Sequence, residues 1–242
     1  NKQSDVYSLN SFDEIEKLTI NDCGGESFGG LESLSNVKEA AITNNKGIYS
    51  SDQVDDIPKV EVLDLSGNPI MYSDHLADET HLKKLNLSNT NLSNAQVRYL
   101  KACLPATEIT ASSLNSTGVV NVSVDSTAHY SASLTLNVNI TDCRYIYYYL
   151  TEVKEGYSFN RSDLVRIDDL YGNTSGYALK LDDLEPNKEY ALWVCAEGER
   201  GRYLSEELKF ETKEIKYYTF EVQPTFPVLA NAASYSPSFP QM

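Results

Sequence analysis

A chain of 242 residues has room for one or two domains with a core in each. Its formal charge of −15 is spread along the sequence rather than gathered into a tail, which favours solubility and makes nucleic acid, with its phosphate backbone, a poor partner. No apolar run approaches the roughly 18 residues a membrane-crossing helix needs, and Asn1-Lys2-Gln3-Ser4-Asp5 has no hydrophobic signal core, so either the protein is cytosolic or a targeting peptide has been removed.

Residues 1–14 are expected to form an N-terminal cap, with Ser11-Phe12-Asp13-Glu14 as a helix start that carries acid in its first turn. An apolar pattern then recurs five times: Leu18-Thr19-Ile20-Asn21-Asp22-Cys23, Ala40-Ala41-Ile42-Thr43-Asn44-Asn45, Leu63-Asp64-Leu65-Ser66-Gly67-Asn68, Leu85-Asn86-Leu87-Ser88-Asn89-Thr90 and Thr107-Glu108-Ile109-Thr110-Ala111-Ser112. The starts at 18, 40, 63, 85 and 107 give spacings of 22, 23, 22 and 22. Another apolar residue precedes each start by three: Ile15, Val37, Val60, Leu82 and Leu104. Such a period predicts a solenoid whose units bury their apolar faces by stacking on one another.

Between units, Ser93 to Leu104 reads as a helix with a Ser/Asn cap and Val97, Leu100 and Leu104 on one face, stopped by Leu104-Pro105. The units resemble leucine-rich repeats over about residues 12–112, with Leu63 to Ile70 matching best. The resemblance implies a concave parallel sheet with helices or loops outside it, and Cys23 at a position where that family takes Asn or Cys to bond the turn. Ala40, Thr90 and Ser112 depart from the pattern; Ala packs less, while Thr and Ser still bond a turn. Strand alternation points Thr19, Asn21, Ala41, Thr43, Asp64, Ser66, Asn86, Ser88, Glu108 and Thr110 out of the concave face, with Lys17, Glu39, Val62 and Lys84 at its rim. This face is either a plain solvated surface or the place where a protein ligand binds; it has no aromatic anchors.

After Ser112-Ser113-Leu114-Asn115-Ser116-Thr117-Gly118 the period drops to two. Apolar residues alternate at Val120, Val122 and Val124, at Leu134, Leu136, Val138 and Ile140, at Tyr177, Leu179 and Leu181, at Tyr190, Leu192, Val194 and Ala196, and at Leu208 and Phe210, which predicts an antiparallel sandwich. The run Leu184-Glu185-Pro186-Asn187-Lys188-Glu189-Tyr190 followed by Ala191 to Ala196 resembles the fibronectin type III corner and its F strand, over about residues 118–213. The likeness implies that Tyr190 bonds back to the upstream backbone. That family's B-strand tryptophan is absent, with Leu136 or Val138 in its place.

With Tyr190, Leu192, Val194 and Ala196 inward, Trp193 and Cys195 turn outward; with Ile146, Tyr148 and Leu150 inward, so do Cys143, Tyr145, Tyr147 and Tyr149. Strands C and F are antiparallel neighbours in this fold. Pairing Cys143 with Cys195 across them suggests a disulfide, against the alternative of two free thiols, and places Tyr145 beside Trp193. The stripe Tyr145, Tyr147, Tyr149 and Trp193 is then an apolar patch that binds a protein, binds a glycan, or packs on the solenoid or the tail.

From Glu214 the tail offers one more strand over Ile215 to Val222, then four prolines among aromatics that suit a segment lying along the body or docking on another chain. His75, His81 and His129 are isolated. The doublets Asp55-Asp56, Asp168-Asp169 and Asp182-Asp183 lack calcium-loop spacing, and the four cysteines lack zinc spacing. With no nucleotide-binding glycine motif and no nucleophile elbow, neither an enzyme nor a cofactor or metal is expected.

The reading is an α+β chain of two domains and a tail: repeats with their cap over 1–113, a fibronectin type III/immunoglobulin-like sandwich over 118–213, and an aromatic, proline-rich tail over 214–242. Repeats followed by such a sandwich resemble bacterial surface proteins, internalins among them. The 17 tyrosines against 2 methionines, amid abundant Asn, Ser and Thr, look like those of secreted proteins and small lipoproteins of gut Bacteroidetes. An extracytoplasmic interaction module is expected, its partner a protein or, through the aromatics, a carbohydrate. A lipid anchor on a precursor stays open.

Overall fold

The computed structural model describes residues 14–24, 28, 31–54 and 57–218. Most of the expected N-terminal cap, the Asp55-Asp56 doublet and the tail beyond residue 218 lie outside the described residues. Residues 215–218 of the expected tail strand carry no regular structure.

In the first half, β1 (Lys17–Asn21), β2 (Glu39–Thr43), β3 (Val62–Asp64), β4 (Lys84–Asn86) and β5 (Glu108–Thr110) form one parallel sheet in chain order. Leu18, Ala40, Leu63, Leu85 and Ile109 lie side by side at spacings of 22, 23, 22 and 24, so the first four strands follow the sequence repeat while β5 pairs two residues beyond the expected register, with Ile109 rather than Thr107 opposite Leu85. The alternation explains the register. Ile42, Leu63, Leu65, Leu85 and Leu87 are almost fully buried, and a one-residue slip would turn that row to solvent. Val37, Val60, Leu82 and Leu104, just ahead of the strands, complete the same layer.

Each of the first four strands leaves the sheet through a left-handed residue, at Asp22, Asn44, Gly67 and Asn89, the types that tolerate this conformation best. Gly67 is required on a second ground, because a Cβ there would run into Asn44 Oδ1 of the previous repeat. One position further on, a polar ladder runs down the interior. Asn68 is fully buried; its Nδ2 donates to the carbonyls of Ile42 (2.6 Å) and Leu65 (2.7 Å), and its Oδ1 accepts from Asn45 N–H (2.8 Å). Asn45 Oδ1 in turn accepts from Cys23 N–H (3.0 Å). In the fourth repeat Thr90 Oγ1 donates to the Leu87 carbonyl (2.9 Å). These side chains satisfy backbone groups that the turns leave unpaired.

The returns to the next strand include 3₁₀ turns at Leu31–Ser33, Ser51–Gln53 and Asp74–Asp78. The fourth return holds α1 (Asn94–Cys103), the one α-helix among the described residues. It opens on a capping box: Ser93 Oγ accepts from Gln96 N–H (3.2 Å) and Gln96 Oε1 from Ser93 N–H (2.9 Å). Val97, Leu100 and Leu104 are buried as expected, and so are Ala95 and Tyr99 on a second side of the helix.

The second half holds β6 (Val119–Thr127), β7 (Ala132–Asn139), β8 (Tyr145–Glu152), β9 (Val165–Arg166), β10 (Thr174–Leu181), β11 (Glu189–Gly198), β12 (Gly201–Leu204) and β13 (Leu208–Glu211). Two antiparallel sheets result: β10-β7-β6, and β9-β8-β11 with β12 and β13 both paired along the far side of β11. Leu134, Leu136, Val138, Ile146, Leu179, Leu192 and Val194 fill the space between them. Leu136 and Val138 are 0% and 1% exposed, so aliphatic side chains occupy the place of the absent tryptophan. Tyr190 stacks on Phe210 at 5.8 Å, and its hydroxyl accepts from Glu185 N–H (2.9 Å), closing the corner.

Replacing Asn68 with Ala strands two buried carbonyls and one buried N–H. A loss of about 3 kcal/mol in urea unfolding is expected; a loss under about 1 kcal/mol would mean that the ladder is not what holds the turns.

Candidate functional site

The outward face of the five-stranded sheet is built in rows. Lys17, Glu39, Val62, Lys84 and Glu108 form one, and Thr19, Ala41, Asp64, Asn86 and Thr110 the next. Asn21 and Thr43 are neighbours in a third, and Ser66 and Ser88 continue it just past their strands. All of these side chains are exposed or half-buried. The face is bonded to itself. Thr43 Oγ1 and Asn44 Nδ2 both donate to Asn21 Oδ1 (2.8 Å each). Asp64 and Asn86 accept from the N–H of Ser66 (2.9 Å) and Ser88 (3.1 Å). Lys17 pairs with Glu39 (2.7 Å) and Lys84 with Glu108 (3.1 Å) across adjacent repeats. Such exposed pairs add little stability, but they leave a polar surface whose side chains are already bonded to one another.

The aromatic stripe of the sandwich lies elsewhere than on a free surface. Trp193 is 9% exposed and stacks on Tyr149 at 5.8 Å, while Phe159, from the loop after β8, packs edge-on against Trp193 (6.1 Å), Tyr149 (5.9 Å) and Tyr99 of α1 (6.3 Å). Ala191, Trp193, Cys195 and Leu204 belong to the same apolar cluster as the core of the first half. Packing on the repeats is therefore what Tyr149 and Trp193 do. Tyr147 is half-buried against that cluster, and burial raises its phenol pKa. Tyr145 stays at the margin.

The disulfide is corrected as well. In the register of β8 with β11, Cys195 stands opposite Tyr147, Trp193 opposite Tyr149 and Tyr145 opposite Glu197, which is four positions from the expected pairing of Tyr145 with Trp193. Cys143 precedes β8 and packs on the inter-sheet core, whereas Cys195 faces the repeats. The two thiols lie on opposite sides of the sheet and are free, as are Cys23 and Cys103. Burial pushes Cys143 up to about 11 and Cys195 higher still, so neither is a ready nucleophile.

Polar contacts complete the junction. Gln96 Nε2 donates to the Arg200 carbonyl (2.8 Å), Arg98 Nε to the Leu204 carbonyl (2.9 Å), and Arg202 Nη1 to Tyr99 Oη (3.2 Å). Arg161 pairs with Asp78. Asp74 Oδ1 accepts from Arg202 N–H (2.9 Å), and its carboxylate lies so close to Gly201, which has φ +102°, that no Cβ fits there. Burial raises the pKa of Asp74 above the usual carboxylate range, and burial takes Tyr99 up to about 12. Around these groups Asp74, Asp78, Tyr99, Arg161, Glu197 and Arg202 line an open cleft of about 300 Å³. Sequence reasoning missed this cleft and Phe159. The apolar run Tyr190 to Ala196 and the second apolar side of α1 at Ala95 and Tyr99 were the available signals. Among the described residues no group of three or more His, Cys, Asp or Glu is arranged to hold a metal ion, and no helix is long and apolar enough to cross a membrane.

No family model matches the chain, and no curated protein matches it. Solved structures match it in part. The fourth fibronectin type III domain of a human protein aligns over 42% of this chain and 82% of its own at 18% identity and TM-score 0.31. The chicken CNTN1 FN1–FN3 domains align over 44% and 35% at 19% and 0.32, and a computationally redesigned β-sandwich over 41% and 96% at 19% and 0.31. These likenesses are too partial to carry weight alone. The order and pairing of β6 to β13 are what make the second half a sandwich of the fibronectin type III/immunoglobulin-like kind.

Two outcomes are expected from the junction. Trp193 is the sole tryptophan, so its fluorescence and the far-UV signal of the whole chain should unfold together, and Trp193→Ala should cost about 3–5 kcal/mol; two separated wild-type transitions would refute the shared core. Because the folded pKa of Asp74 is raised, the stability linked to its proton is present at low pH and lost as pH rises through that folded pKa. Asp74→Asn should therefore gain on the wild type between pH 4 and pH 7, as followed by thermal melts; a pH-independent difference would contradict the assignment.

Proposed function

We propose that this protein is a non-enzymatic, extracytoplasmic interaction module whose sheet face in the first half binds a protein partner. In this reading residues 1–113 are a leucine-rich-repeat solenoid with its cap, residues 118–213 a sandwich that terminates and braces it, and residues 214–242 a tail. The observation that carries the reading is the self-bonded face itself. Thr19, Asn21, Thr43, Asp64, Ser66, Asn86, Ser88 and Glu108 project hydrogen-bonding groups from consecutive repeats at a fixed spacing. Their geometry is set by backbone ladders and turn bonds before any partner arrives. A pre-organised surface loses little freedom on binding, which compensates for its lack of large apolar anchors. The likeness of repeats plus sandwich to bacterial surface proteins supports placement outside the cytoplasm.

The test is a double substitution, Thr43→Arg with Asn86→Arg, which puts two long charged side chains on the face without touching the buried rows. Wild-type chain fixed to a resin should retain a specific protein from cell-surface extracts, and the double variant should lose it with an unchanged melting temperature. An exposed sandwich variant, Lys180→Glu, should retain it. Retention that survives both arginines, or no retained protein at all, would sink the reading.

A further inference from the structure

The face of β8, β9, β11 and β12 that meets the repeats is graded. Its innermost row holds the buried Trp193 and the half-buried Tyr149; the next holds Arg166, Tyr147, Cys195 and Leu204; the outermost is Tyr145, Glu197 and Arg202. That last row runs from the cleft at the junction to the edge of the sheet. At the edge, the Arg166 guanidinium lies 4.0 Å from the centre of the Tyr145 ring and 5.4 Å from that of Tyr171. Tyr171 is 65% exposed. Two aromatic rings are thus held apart by a planar cation, beside a cleft walled by carboxylates, a phenol and guanidinium groups.

We propose that this row and the adjoining cleft bind a neutral saccharide. The site goes beyond the protein-binding face on the repeats and lies apart from it. Each guanidinium group already has a carboxylate partner: Arg202 Nε and Nη2 both reach Glu197 Oε2 at 3.1 Å, Arg161 pairs with Asp78, and Arg166 lies 4.0 Å from Asp168, while Asp74 and Glu199 add further carboxylates to the lining. An anion would have to displace one of these carboxylates and would also meet a chain carrying −15. A sugar needs neither. Its C–H face lies on an aromatic ring, and its hydroxyls donate to the carboxylates and accept from the guanidinium groups without breaking an ion pair. The size agrees. The cleft, about 300 Å³, is at the small end of the roughly 300–1,000 Å³ of small-molecule sites. The exposed aromatic surface, the Tyr171 ring and the half-buried Tyr145 ring, is far short of the roughly 800 Å² per partner of a protein interface.

Affinity electrophoresis of the full chain through gels containing starch, β-glucan, mannan or galactomannan tests this, with polygalacturonate as the anionic control. At least one neutral polysaccharide should retard the chain. Tyr171→Ala, which removes an exposed side chain and should leave the melting temperature unchanged, should weaken that retardation roughly tenfold, and Tyr145→Ala and Glu197→Gln should weaken it as well. The Thr43→Arg, Asn86→Arg double variant should migrate as the wild type does, which separates this site from the sheet face. Retardation by no neutral polysaccharide, by polygalacturonate only, or undiminished in Tyr171→Ala would overturn the proposal.

Discussion

Strand β11 is buried on both faces, and the arrangement of the molecule depends on it. Tyr190, Leu192, Val194 and Ala196 close the core between the two sheets, while Ala191, Trp193 and Cys195 close a second core shared with the repeats. A strand with no polar face must be covered twice. One cover is supplied by the sheet of β6, β7 and β10. The other comes from α1 and the loop bearing Phe159. The last repeat, whose open end would otherwise expose apolar side chains, is closed by the same contact, so two incomplete cores complete each other. Gln96 illustrates the economy of the junction. Its carboxamide oxygen caps α1, and its nitrogen bonds the Met71 and Arg200 carbonyls, tying two repeats to the β11–β12 hairpin.

Much of this was legible in the residues. The 22-residue spacing and the paired apolar positions predict the parallel register, because only that register buries Ile42, Leu65 and Leu87 together. The Ser93/Gln96 pair marks the helix start, and the alternation from Val120 onward marks the strands of the sandwich. The returns before the first three repeat boundaries did not read as 3₁₀ turns; their short apolar spacings fit any compact return. The two-residue β9 carries too little pattern to be seen at all.

The site was harder to read, for a physical reason. Alternation assigns each side chain of a strand to a face but does not say what covers that face. Reading Tyr190 to Ala196 as a half-exposed strand left Trp193 as a surface anchor. Read as a continuous apolar run, the same residues indicate burial on both sides. The pairing of β8 with β11 differs from the expected one by four positions because these neighbours are joined through a long excursion, and no tight turn fixes their offset. The cleft residues Asp74, Arg161 and Arg202 come from three distant segments and share no motif. Only the fold brings them together.

The left-handed turn residues give the array a property of its own. Because the first four strands each close through one Asp, Asn or Gly in the left-handed region, neighbouring strands pair at shifts of 22, 23, 22 and 24 residues within one continuous parallel sheet. Duplicating or deleting an internal unit is thus a small event for the lattice of the array. The unit carrying α1 is different, since its helix is keyed to β12. The unit before it is keyed as well, through Asp74 to Arg202 and Asp78 to Arg161, so a change in copy number that leaves the joint to the sandwich intact is confined to the units ahead of Leu63, where it lengthens or shortens the sheet face.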